Sequence, residues 1–177
     1  APAATTDLVN CYADIVLPAP PVVNDACGTP LPPTGPVEGA VPACEGDVTY
    51  TWTYTDCAGE IVEYVHTVTI DIPDFIPPAD DASTVNCPAD AVAPALPTVT
   101  DYCGNPITAT LVSSPSPAAC EGTMVWVYNY ADCAGNNHDW TYTYTIDMPA
   151  PTAPAATTDL VNCYADIVLP APPVVND

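Results

Sequence analysis

Nine cysteines, two histidines and 22 acidic residues are the side chains of this 177-residue sequence whose types invite chemistry, and no lysine or arginine accompanies them. Cys11, Cys27, Cys44 and Cys57 are spaced by 16, 17 and 13 residues. They recur as Cys87, Cys103, Cys120 and Cys133, each displaced by 76, and Cys163 begins the series again. Thiolate zinc sites are built from closely spaced pairs, two to four residues apart, which this pattern lacks. Widely spaced cysteines at this density in a short chain read instead as oxidised staples of an extracellular protein. Cys163 lacks its three module partners and reads as an interrupted staple rather than a reactive thiol.

Acid–base or nucleophilic catalysis needs a base held beside a nucleophile or a second carboxylate. Under the 76-residue shift His66 falls on Tyr142 and His138 on Val62, so neither belongs to the repeated framework. Both are expected as surface residues of strands or turns, and no catalytic residue is assigned. The only cation available to stabilise an oxyanion or phosphate would be a bound metal. Calcium suits a chain rich in carboxylates. Asp71 and Asp147, just before the junctions Pro73–Pro78 and Pro149–Pro154, are the candidate ligands, although no D-x-D-x-D-G loop is present. Pro149–Thr158 and Ser113–Pro117 have the composition of O-glycosylated stalks or stiff linkers, and no N-x-[ST] acceptor occurs. No other cofactor is expected.

A formal charge of −22 repels phosphate backbones and anionic lipid, which argues against nucleic-acid and membrane-surface partners. The acids are dispersed and 49% of residues are apolar, so the chain should fold rather than behave as a disordered acidic tail. No run of about 18 apolar residues offers a membrane span. Ala1–Asn10 lacks the features of a signal peptide, so an export signal is expected outside this segment.

The elements that position the cysteines follow from the repeat. Residues 1–76 and 77–152 form two modules, and 153–177 repeats 1–25 without a change, so the natural unit is a pair of unlike modules. In the second half of each module, aromatic and aliphatic residues alternate with threonine. Tyr50, Trp52 and Tyr54 are followed by Tyr64, His66, Val68 and Ile70; Trp126, Tyr128 and Tyr130 by Trp140, Tyr142, Tyr144 and Ile146. Period-two alternation predicts half-buried strands. Asp56-Cys57-Ala58-Gly59 and Asp132-Cys133-Ala134-Gly135 between them predict hairpin turns. Val9–Val16 and Pro21–Asp25 read as shorter, proline-broken strands, and nothing carries a helical period. The fold class is all-β, with tandem small two-sheet sandwiches and Pro-rich junctions, in which two bridges inside each module would offset a thin core. A strand between Cys44 and Cys57 would hold them tens of ångströms apart, which disfavours that pair and Cys120 with Cys133. The other two pairings stay open.

Several motifs together have a family look: Cys87-Pro88-Ala89-Asp90, Thr100-Asp101-x-Cys103-Gly104, Cys120-Glu121-Gly122 and Tyr130-x-Asp132-Cys133-Ala134-Gly135-Asn136, followed by the strand Trp140–Asp147. The chain resembles the four-cysteine HYR-like (hyalin-repeat-like) domains found in tandem in large surface proteins of Bacteroidota. The first module departs from the pattern at Tyr12, where the motif has Pro, and at Glu60, where it has Asn. The resemblance implies an immunoglobulin-like fold and a non-catalytic role as a repeat of a cell-surface adhesin or extracellular filament. Its partners would be neighbouring modules and like chains in a fibre. The alternative is a carbohydrate- or protein-binding adhesive module using exposed Trp52, Trp126 or Trp140, against which stands simple core packing of these residues.

Overall fold

The structure is a computed structural model that describes residues 1–116, 118 and 120–175. Pro117 of the Ser113–Pro117 cluster, Ala119 beside Cys120, and the end of the third repeat at Asn176 and Asp177 lie outside the described residues.

The alternating segments form the long hairpins that periodicity predicts. In the first module β5 (Gly46–Thr55) pairs antiparallel with β6 (Ile61–Ile70) over ten residues, placing Trp52 opposite Tyr64, Tyr50 opposite His66 and Val48 opposite Val68. Successive side chains of a strand point to opposite faces. The even-numbered residues therefore share the buried face, and Thr49, Thr51, Thr53 and Thr67 line the other. Edge strands complete the sheet: β1 (Thr5–Val9) runs parallel to β6, and β4 (Thr34–Glu38) runs antiparallel to β5 with an irregularity between Thr34 and Val37. A two-residue ribbon of β2 (Val23–Asn24) and β3 (Pro30–Leu31) forms the second layer. Its Val23 and Leu31, with Ile15, cover the core of Val48, Tyr50, Trp52, Tyr54, Tyr64, Val68 and Ile70.

The second module repeats this plan. β7 (Asp81–Val85) is parallel to β12 (Asn137–Ile146), β12 pairs with β11 (Gly122–Ala131), and β11 with β10 (Ala109–Ser113), beneath a ribbon of β8 (Val99–Thr100) and β9 (Pro106–Ile107). The tyrosine near the end of each hairpin's first strand ties the two layers together. Tyr54 OH donates to Pro21 O at 2.6 Å and Tyr130 OH to Pro97 O at 2.8 Å.

The upstream region differs from its sequence reading. The first strand is Thr5–Val9 rather than Val9–Val16, and Tyr12–Asp14 is a single 3-10 turn closed by Asp14 N–H to Cys11 O. β1 can extend only as far as its partner: Val9 lies opposite Ile70, the last residue of β6, and beyond it the chain satisfies its own backbone groups locally. The copy at 153–175 keeps the turn at Tyr164–Asp166 but has no strand at 157–161.

Between the sheets the chain is tied at both ends. Ile72 N–H donates to Glu45 Oε1 at 2.8 Å on the first module. Two residues later the ties pass to the second module. Asp74 accepts from His138 Nε2 at 2.9 Å, Trp140 Nε1–H donates to Ala79 O at 2.8 Å, and Thr141 N–H donates to Asp80 Oδ1 at 2.7 Å. Phe75 is buried among Val99, Tyr128, Tyr130 and Trp140 of the second module.

Candidate functional site at the module junction

Four turns of one design carry four of the nine cysteines. In each, an aspartate begins the turn and a glycine three residues later takes positive φ: 83° at Gly28, 86° at Gly59, 87° at Gly104 and 95° at Gly135. This left-handed backbone is reached by glycine without a Cβ penalty. The aspartate carboxylate holds the loop shut. Asp25 Oδ1 accepts the N–H groups of Cys27 and Thr29, and Asp56 Oδ1 those of Ala58 and Glu60, at 2.8–2.9 Å. In the second module Asn105 and Asn136 add a side-chain amide bond to Asp101 Oδ2 (2.9 Å) and Asp132 Oδ2 (3.0 Å).

The topology assigns these turns to one end of a module and the remaining cysteines to the other. Cys11 follows β1 after one residue and Cys44 precedes β5 by two. Because β1 is parallel to β6 and β5 antiparallel to it, both lie where β6 finishes, the trailing end, opposite the hairpin turn. A module thus leads with its turn cysteines and trails with its first and third.

The structure joins trailing end to leading end. Cys11 is bonded to Cys103 and Cys44 to Cys133, both with Cα atoms 5.7 Å apart, at sequence separations of 92 and 89. The expected staples inside single modules are therefore corrected to bridges between modules. Pairing a trailing cysteine with a turn cysteine of its own module would have to span a ten-residue strand, about 30 Å, against a limit near 7 Å. The adjoining module brings its turn cysteines to the spot. By the chain-entropy account, closing a loop of this size stabilises the fold by roughly 4–5 kcal/mol. Packing accompanies the bonds, since Cys103 and Ala134 of the second module lie against the core of the first, and Cys11 and Ile72 are buried there.

Cys27, Cys57, Cys87, Cys120 and Cys163 are exposed and unpaired in this structure. The histidines divide. His66, expected at the surface, is 1% exposed. It lies on the aromatic face of β6, with Nδ1 2.8 Å from Thr5 Oγ1 and Nε2 3.4 Å from Asp7 Oδ2, too poorly aligned for a hydrogen bond. His138 is half-exposed on β12 against Asp74 and Phe75. The Thr5 hydroxyl beside His66 is also tied to Tyr64 OH at 2.7 Å, and His138 meets a carboxylate rather than a hydroxyl or thiol. Trp52 and Trp140 are core residues and Trp126 is half-buried, so none of the three indoles is fully exposed. Asp71 and Asp147 are exposed at corresponding strand ends, their N–H groups bonded to Val9 O and Val85 O at 3.0 Å. Among the described residues no group of three or more carboxylate, cysteine or histidine side chains converges as a metal site.

A polar cluster near the trailing end of the first module escaped the sequence reading. Glu38 Oε1 accepts from Tyr12 OH at 2.6 Å and from Tyr50 OH at 2.8 Å. The Tyr12 bond, followed by that from Tyr50, holds the Glu38 carboxyl below its ordinary pKa. Burial and the same carboxylate push the Tyr50 hydroxyl well up. In the second module Pro88, Ser114 and Trp126 occupy these positions, and the buried Trp126 indole N–H has no protein acceptor. The signal for the crossed bridges was present in the motifs: the second and fourth cysteines share an Asp-to-Gly turn signature, and the first and third do not.

The disulfides are consistent with an extracellular location, and among the described residues no helix is long and apolar enough to cross a membrane. A comparison with curated proteins returns no match. The profile of the HYR-like domain with four cysteines matches residues 1–70 and again 75–146, the two sheet units with their four-cysteine sets. The chain belongs to this family of HYR-like domains with four cysteines, and carries two successive copies of it.

Proposed function

We propose that the chain is a non-catalytic structural segment of an extracellular or cell-surface filament, with neighbouring modules and like chains as its partners. The observation that carries this reading is the trailing-to-leading junction, where two disulfides and buried contacts join successive modules. A linker bonded to both modules, with Pro73, Pro77 and Pro78 restricting its backbone, supports a stiff joint. Net charge of −22 keeps neighbouring fibres apart.

Electron micrographs of the native protein test the proposal. Strands of ten residues at about 3.3 Å each, plus turns, set a two-module axial repeat of roughly 70–80 Å. Straight rods with that periodicity are expected. Flexible beads with no constant spacing would overturn the reading.

A further inference from the structure

The components of the observed junction recur, uncovered, at the two outer ends of the module pair. At the trailing end of the second module, Cys87 and Cys120 hold the positions that Cys11 and Cys44 hold in the first, and both are exposed. Cys120 Sγ lies 3.5 Å from Met148 Sδ. Met148 takes the place of Ile72, which the first junction buries but which here is only half-covered. At the leading end of the first module, Cys27 and Cys57 sit in turns of the same hydrogen-bonded design as those of Cys103 and Cys133. Ala58 is exposed there, whereas its counterpart Ala134 packs on a neighbouring core. The stretch from 153 follows the second module at the same 76-residue spacing and puts Cys163 in the first-cysteine position.

We infer that the bridge pattern is a continuous ladder. Cys87 and Cys120 bond the second and fourth cysteines of a further module of this type, the one that begins at 153 in the same chain. Cys27 and Cys57 bond the first and third cysteines of a module ahead of them, and Cys163 opens the next rung. The inference rests on the array reading above and adds the covalent partner of every unpaired cysteine. All five exposed thiols are thereby accounted for by one rule, first to second and third to fourth across each junction.

Each rung forms by oxidation of two thiols, which lose two protons and two electrons. A thiolate attacks the S–S bond of a disulfide oxidant of the oxidised-glutathione or dithiol-oxidoreductase class, forming a mixed disulfide. The partner thiolate then displaces it. One protein S–S bond forms, one oxidant S–S bond breaks, and the oxidant leaves as two thiols that carry the protons.

The test is a disulfide map of the native protein, alkylated without reduction and cleaved at Glu and Asp and, to separate Cys103 from Cys120, after Leu111 by chymotrypsin, since trypsin has no site in this sequence. The turns of the two modules differ: Ala26-Cys27-Gly28-Thr29 against Tyr102-Cys103-Gly104-Asn105, and Cys57-Ala58-Gly59-Glu60 against Cys133-Ala134-Gly135-Asn136. Every rung is therefore distinguishable by mass. The expected products join Cys87 peptides to Cys27-type peptides and Cys120 peptides to Cys57-type peptides, with no alkyl label on either. Alkylated Cys87 or Cys120, or bonds from Cys87 to Cys103 and from Cys120 to Cys133, overturn the ladder. Denatured mass before and after reduction addresses the source of the partner. An unchanged mass is expected, and a fall on reduction places the partner in a separate chain and overturns the same-chain assignment. Micrographs of the same sample keep the two readings apart, because rods with free thiols defeat the ladder alone.

Discussion

Glu38 shows how one side chain joins elements that chain order keeps apart, since its carboxylate accepts from Tyr12 in the 3-10 turn and from Tyr50 on β5. Hydrogen bonds to the charged form lower its pKa in the folded state. Its contribution to stability is therefore complete above the ordinary glutamate pKa and is lost as pH falls through the lower folded value. Replacing Glu38 by Gln is expected to reduce the melting temperature slightly at neutral pH, and the gap from the parent should close as the pH falls through the lowered folded value. Thermal unfolding across that range checks it; a gap independent of pH would mean that the charge does not matter. The Asp-to-Gly turns were legible at this scale because their chemistry is local. The burial of His66 was not, because it depends on Thr5 and Asp7, some 60 residues away and brought alongside by β1.

Among the elements, the long hairpins could be read directly, because period-two alternation and a turn signature agree over ten paired residues. The edge strands could not. Residues 5–9 form β1 beside β6, yet the identical residues 157–161 form no strand, so these five residues have strand structure only when a partner supplies the ladder. β4 went without a strand assignment, since it contains Gly35 and Pro36, which are disfavoured in strand interiors but tolerated in an irregular edge strand. Cysteine spacing hid the inter-module bridges for a related reason, since it carries no information about which ends meet, and only the Asp-to-Gly signature shared by the second and fourth cysteines marked those two as a set. Equivalence of the two modules can be measured. Tyr54→Phe and Tyr130→Phe each delete one bond from a buried hydroxyl to the covering layer, and each is expected to cost about 1 kcal/mol in denaturant unfolding. A cost confined to one of them would show that the layers are not held alike.

For the whole molecule, 22 acids without a lysine or arginine leave His138 with Asp74 and His66 near Asp7 as the close contacts between an imidazole and a carboxylate among the described residues. Self-repulsion of this kind is long-ranged and screened by salt. Raising the salt from about 10 to 150 mM, which shortens the screening length from roughly 30 to 8 Å, should raise the melting temperature. No shift would mean that the dispersed acids are already too far apart to interact. The observed junction, finally, is crossed by three covalent routes in parallel: the 71–80 linker, Cys11–Cys103 and Cys44–Cys133. Cutting the linker leaves the modules attached, and so does reducing either bridge. Such a joint is fault-tolerant. It parts only when a protease and a reductant both act on it, so a rod built this way would outlast any single kind of chemical attack.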